Sequence, residues 1–178
     1  MTIHSVAVLG AGTMGAQIAL HCANAGIPAL LLDLTADAAR EGLERARKLK
    51  PDPQFTPDAH RLVKTASFDD GMPLLKNVDW IMEAIVERLD IKQQMLARVD
   101  AAPRSGAIVS SNTSGIPIGI LAEGRSDDFR KHWLGTHFFN PPRYLRLLEI
   151  IPTPETGASV VDTISHFAHH HLGKGVVD

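Results

Sequence analysis

Apolar positions along this chain fall into short continuous runs, separated by stretches with helical spacing. Residues 3–9 (IHSVAVL) predict a buried strand. Residues 14–25 place Met14, Ile18 and Cys22 on one helical face with Ala19 and Ala23 beside them, and Gly26 reads as the helix stop. A second strand is expected over 29–33 (ALLLD), ending in an acid. Residues 36–50 read as a basic helix carrying Arg40, Arg45, Arg47, Lys48 and Lys50, and the prolines within 51–57 end it. Strand-like runs recur at 63–66, 80–85 and 107–110, with helical stretches between them; Ile91, Met95, Leu96 and Val99 form one such helical face. Strand–helix alternation of this kind predicts an α/β fold with a mainly parallel sheet covered on both faces.

The last third of the chain changes character. Runs at 134–139 and 145–151 are separated only by Asn140-Pro141-Pro142-Arg143, too short for a crossover helix, so they are expected to pair antiparallel. Thr153-Pro154 reads as an N-cap with proline at the first helical position. Val160, Val161, Ile164, Phe167 and Ala168 supply the buried face of that helix, and GKGVVD reads as a last short strand. Neither an internal repeat nor a low-complexity segment is evident.

Composition narrows the function classes. A length of 178 residues suits one domain spanning 1–178. The formal charge of -2 gives no basic surface for a nucleic-acid backbone, and 5% aromatic residues are too few for a base-stacking platform. Cys22 stands alone, so no intrachain disulfide can form, which fits a reducing compartment. No apolar run approaches the ~18 residues of a membrane span. With the first strand starting close to Met1, no signal peptide is expected, and the simplest reading is a soluble cytoplasmic protein without membrane or nucleic-acid partners.

Between the first strand and first helix lies Gly10-Ala11-Gly12-Thr13-Met14-Gly15, a GxGxxG run. In that context Gly10 permits a tight turn, Gly12 lets backbone approach a pyrophosphate, and Gly15 lets the helix pack against the strand. The helix tip offers free N–H groups and partial positive charge. Asp33 follows Gly15 by 18 residues, placed to accept hydrogen bonds from the adenosine ribose; a carboxylate there repels a 2′-phosphate, which favours NAD over NADP. The fold predicted is thus of the Rossmann, doubly wound type, with antiparallel strands near the C-terminal end. The alternatives are FAD or a glycine turn without ligand.

Candidate chemistry lies further on. His137 sits in THFFNP and Glu149 in LLEII, so strand pairing would let them meet across the ladder. A carboxylate buried in an apolar strand is costly unless paired, and a His–Glu couple is a general-base arrangement. Ser111-Asn112-Thr113-Ser114 follows a strand and so falls at the carboxyl edge of the sheet, where ligands bind in open α/β folds. Read singly, each residue has a plainer meaning. His137 is then a core histidine, Glu149 a strand-edge acid, Ser114 a loop or N-cap serine, Glu87 a helix-start acid and Lys92 a solvated base. Lys48 and Lys50 are a solvated face, and His169-His170-His171 point in different directions from a helix surface, with no metal site expected. Cys22, Trp80 and Trp133 read as packing.

Taken together, GAGTMG, Asp33, EAIVERLDIK, SNTS and HFFNP…E resemble the NAD-binding N-terminal domain of the 3-hydroxyacyl-CoA dehydrogenase family, over nearly the whole chain. SSNTSGI and GTHFFNPPRYLRLLEIIPT are most similar to the dehydrogenase portion of the longer bacterial fatty-acid β-oxidation enzymes. The resemblance implies NAD-dependent oxidation of a (3S)-hydroxyacyl-CoA to a 3-oxoacyl-CoA. It implies that His137 takes the 3-hydroxyl proton, Glu149 pairs with it, and Ser114 hydrogen-bonds the substrate oxygen. Gly10, Gly12, Thr13, Met14, Gly15 and Asp33 would hold NAD, Glu87 and Lys92 would contact it, and Ala84 and Asn112 would line the same cleft. Lys48 and Lys50 fall where the family holds the CoA phosphates. The family's further catalytic asparagine follows a TPGF-like segment after LGK, and the chain's last residue, Asp178, precedes that segment. The expectation is therefore a piece of a longer, homodimeric, acyl-CoA-binding protein, lacking the helical C-terminal domain and binding NAD with little turnover alone. A related dehydrogenase of free hydroxy acids is the rival reading.

Overall fold

Each apolar run becomes a strand in the computed structural model, which describes residues 1–102 and 106–178. The first half comprises β1 (Val6–Leu9), α1 (Thr13–Asn24), β2 (Ala29–Asp33), α2 (Ala36–Arg47) and β3 (Val63–Ser67). Then come α3 (Phe68–Gly71), β4 (Trp80–Glu83), α4 (Leu89–Ala101), β5 (Ile108–Ser111), α5 (Ile118–Leu121) and α6 (Asp127–Lys131). The chain continues through β6 (Trp133–Phe138), β7 (Leu147–Pro152), α7 (Ala158–His170) and β8 (Gly175–Val177). The strands form one eight-stranded sheet in the order β3-β2-β1-β4-β5-β6-β7-β8. Pairing is parallel from β3 to β6, antiparallel between β6 and β7, and parallel again between β7 and β8. The winding direction reverses between β1 and β4, so the loops leaving those two strands diverge and open a crevice at their carboxyl ends.

Both faces of the sheet are covered except at its β7–β8 end, where one face stays open. Val8, Leu31 and Leu134 pack with Ile18, Leu43 and Ile164 from α1, α2 and α7. Leu9, Leu32 and Ile81 pack with Leu96, Leu121 and Phe129 from α4, α5 and α6. Burial on both sides is why these strands read as unbroken apolar runs rather than alternating ones. Trp80 and Trp133 are fully buried, and each indole N–H is satisfied, by Ser110 Oγ at 2.9 Å and Ile118 O at 2.9 Å.

Local expectations fail at element ends, and three of these have an identifiable cause or consequence. β1 starts at Val6 because His4 and Ser5 give their N–H groups to Asp79 Oδ2 at 2.8 and 3.3 Å instead of to the ladder. α2 ends at Arg47, leaving Lys48 as its C-cap and Lys50 beyond it. Thr153-Pro154 does not open α7. The Thr156 N–H closes a turn onto Thr153 O at 3.1 Å, its hydroxyl donates to Trp133 O at 2.6 Å, and Gly157 caps the helix instead.

Candidate active site

At the end of β1 the backbone turns at Gly10 with φ +106°, and a Cβ there would lie 2.5 Å from Ala84 O, so only glycine fits. A Cβ on Gly15 would lie 1.8 Å from Gly10 O; this is the close helix–strand approach read from the motif. Gly12 differs, since a Cβ built there meets nothing within 4 Å. It borders open space at the N-terminus of α1, which has no side-chain cap and no acid in its first turn. Uncapped N–H groups facing open space are what a phosphate needs. Asp33 closes the loop from β2, its Oδ2 accepting the Ala11 N–H at 2.9 Å and its Oδ1 the Leu34 N–H at 2.7 Å. Beside it a hollow of about 230 Å³ is lined by Ala11, Gly12, Thr13, Gly42, Arg45, Ala46 and Leu49. These residues fit a dinucleotide pyrophosphate and its adenosine end.

On the other side of the first turn of α1 lies a cleft of about 400 Å³. Met14, Ala84, Glu87, Lys92, Asn112, Ser114 and His137 all line it, together with Ile85, Thr113, Phe138, Phe139 and Asn140. His137 and Glu149 face each other in the β6–β7 register, with Nδ1 3.3 Å from Oε1. An ionised carboxylate only accepts, so Nδ1 carries the proton and Nε2 is the basic nitrogen. Glu149 is not buried as its apolar run implied: its side chain is 41% exposed. Residues 148 and 150 pack toward α7, which leaves Glu149 on the opposite, open face of β7. Asn112 Oδ1 accepts the Phe138 N–H at 2.8 Å, tying the loop after β5 to the end of the strand bearing His137.

Lys92 is buried, not solvated. Its Nζ lies 2.6 Å from Glu83 Oε2, 3.2 Å from Ile85 O and 3.5 Å from Glu87 Oε1. Glu87 sits in the loop before α4 rather than in its first turn, and its carboxylate accepts from the Thr113 hydroxyl and, at 3.3 Å, from the Ser114 N–H. Partial burial alone would raise the Glu87 carboxyl, but those two donors and the Lys92 ammonium hold it below its ordinary range. Sequence reading missed Glu83, Gln17 and Asn140, and it placed Ser111 at the sheet edge without its tie to Glu83. Gln17 Nε2 joins Thr13 O and Asn140 Oδ1 at 2.8 and 3.2 Å, linking the helix tip to the β6–β7 turn. An acid closing the buried run WIME was the available signal for Glu83; nothing in the sequence pointed to the Gln17–Asn140 contact. Lys48, Lys50 and His169 to His171 are exposed. Among the described residues no group of His, Cys, Asp and Glu is arranged to hold a metal, and no helix is long and apolar enough to cross a membrane.

Residues 5–178 match the family model described as 3-hydroxyacyl-CoA dehydrogenase, NAD binding domain. The chain belongs to this family. Its sequence is 49% identical over 184 residues to a "Probable 3-hydroxyacyl-CoA dehydrogenase" of Deinococcus radiodurans, covering 99% of the chain and 53% of that relative. It is 36% identical to a "Fatty acid oxidation complex subunit alpha" of Pseudomonas aeruginosa, covering 96% of the chain and 24% of that relative. The chain thus spans about half or less of the relatives it matches. The crystal structure of 3-hydroxybutyryl-CoA dehydrogenase from Escherichia coli superimposes with a TM-score of 0.87 at 27% identity, over 99% of this chain and 38% of that one. The fold is accordingly that of the family's NAD-binding domain, and NAD is its cofactor.

Proposed function

We propose that this chain is the cofactor-binding, His/Glu-bearing half of an enzyme that oxidises (3S)-hydroxyacyl-CoA to 3-oxoacyl-CoA in fatty-acid β-oxidation. The observation that carries the reading is the cross-strand pair of His137 and Glu149, 3.3 Å apart, with His137 on the same cleft as Ser114 and Glu87. The chemistry a bound NAD supplies is acceptance of a hydride from C3. His137 Nε2 takes the hydroxyl proton as the C3 carbonyl forms. Glu149 offsets the charge that develops on the imidazole, and the Ser114 hydroxyl donates to the substrate oxygen. In the reverse direction the imidazolium returns its proton to that oxygen. Gly10, Gly12, Thr13, Met14 and Gly15 bind the pyrophosphate, Asp33 the ribose, and Ala84, Glu87, Lys92 and Asn112 shape the cleft. The same reading makes 1–178 a single NAD-binding domain, acyl-CoA the partner, the cytoplasm the compartment and the whole protein a homodimer.

The test offers acetoacetyl-CoA and free acetoacetate, each with NADH, to the full-length protein. Turnover is expected with the thioester alone; turnover only with the free acid overturns the substrate class. His137→Ala should lower kcat by about 10²–10⁴-fold while leaving NADH affinity nearly intact. A large loss of NADH binding instead would make His137 a structural residue.

A further inference from the structure

Glu83 takes no part in the proposed chemistry and does not line the cleft, yet its carboxylate is completely buried just beneath it. It stands in register with Ser111 at the ends of β4 and β5. Oε1 accepts the Ser111 hydroxyl at 2.6 Å, while Oε2 accepts the Ile85 N–H at 2.8 Å and Lys92 Nζ at 2.6 Å. The Lys92 ammonium is enclosed as well, and it lies between two carboxylates: in contact with Glu83 and 3.5 Å from Glu87. Glu87, for its part, holds the loop after β5 through the Thr113 hydroxyl and the Ser114 N–H. A second route reaches the same loop, because Ser111 Oγ also accepts the Thr113 N–H at 3.1 Å.

We propose that Glu83 is a positioning residue for this wall of the cleft: by pairing with Lys92 and anchoring Ser111, it leaves Glu87 free to hold Thr113 and Ser114. The inference rests on the reading of the cleft as part of the NAD site. Its physical basis is competition for one ammonium. Attraction between charges grows as they approach and as water is excluded, so the buried, touching Glu83 outcompetes the half-exposed Glu87. An ammonium in a dry site does not stay unpaired. Once Glu83 loses its charge, the nearest carboxylate is Glu87, which turns inward and releases the Thr113 hydroxyl and the Ser114 N–H. Glu83 therefore governs the cleft wall from behind, without lining the cleft itself.

The test compares Glu83→Gln, Glu87→Gln and the double variant, each with folding checked by circular dichroism. In Glu83→Gln the Ser114 amide proton resonance should move upfield as its carboxylate acceptor leaves, without any cofactor present. NADH affinity should fall about tenfold in each single variant, and the double variant should be no weaker than the weaker single. An unmoved Ser114 amide in a folded Glu83→Gln chain overturns the proposal, as do losses that multiply in the double variant. If Glu83→Gln does not fold, Ser111→Ala removes one partner of Glu83 without stranding the ammonium. It should shift the Ser114 amide, and no shift overturns the proposal. Absence of NADH binding by the unsubstituted chain would instead count against the NAD site itself, and the amide measurement would still decide the role of Glu83.

Discussion

Gly12 and Gly15 belong to one motif and are glycine for different reasons. A Cβ on Gly15 meets the backbone of Gly10 at 1.8 Å, and backbone cannot swing aside as a long side chain would. Gly15→Ala should therefore destabilise the fold by about 2 kcal/mol or more, read as a lower midpoint in urea. A Cβ on Gly12 meets nothing within 4 Å and the backbone there has φ -73°, so Gly12→Ala should fold with an almost unchanged midpoint. Its methyl would enter the space proposed for the pyrophosphate, so NADH affinity should drop at least about tenfold. Unchanged binding in that variant would move the pyrophosphate elsewhere. The close approach at Gly15 was legible from spacing alone, because the motif encodes backbone geometry. Glu83 and Lys92 were not. Sequence shows a lysine on a helix and defaults to solvent, and only the sheet register reveals that a carboxylate waits beneath it at 2.6 Å.

At the level of elements, strands and long helices followed the periodicity, since burial on both faces leaves a continuous apolar run to read. Failures sit at ends, where a single side chain decides: Asp79 shortens β1, and Thr156 makes 153–156 a turn rather than the first turn of α7. The polar back of α1 was also invisible. His21 is buried there, with Nε2 3.0 Å from Leu172 O and Nδ1 without a hydrogen-bond partner among the described residues. Burial, with Lys174 and Arg143 nearby, pushes it down to about 4 from an ordinary 6.5. Neighbouring Cys22 is pushed up to about 12 by burial and stays a thiol, in keeping with inert packing. For His21 the folded state binds its proton less readily than the unfolded one. Its contribution to stability is full above pH 6.5 and is lost as pH falls toward 4. The shift corresponds to about 3 kcal/mol. Relative to His21→Gln, the unsubstituted chain should lose about that much stability between those two values, measured by urea unfolding at each pH; parallel profiles would mean that His21 opens to water before the chain unfolds.

Over the whole molecule, the two halves of the proposed site are unequally protected. The glycine loop, Asp33 and the Glu87–Ser114 contacts are built on β1, β2, β4 and β5, in the middle of the sheet and packed on both faces. His137 and Glu149 lie toward the other end. There the face of β7 that carries Glu149 also carries Leu147 and Ile151, 41% and 38% exposed, beside Val177 of β8 at 47%. An imidazole–carboxylate pair open to water loses most of the electrostatic advantage it has in a dry site, while a pyrophosphate grip at a helix tip needs no such cover. The chain by itself should therefore bind NADH measurably, seen as enhanced dinucleotide fluorescence, and reduce acetoacetyl-CoA weakly or not at all. Gly12→Ala should shift the fluorescence titration to at least about tenfold higher NADH and so tie it to the glycine loop. Rapid acetoacetyl-CoA reduction by the chain alone would mean that the dyad works while exposed, and that Glu149 matters for holding the His137 tautomer rather than for balancing charge in a water-free cleft.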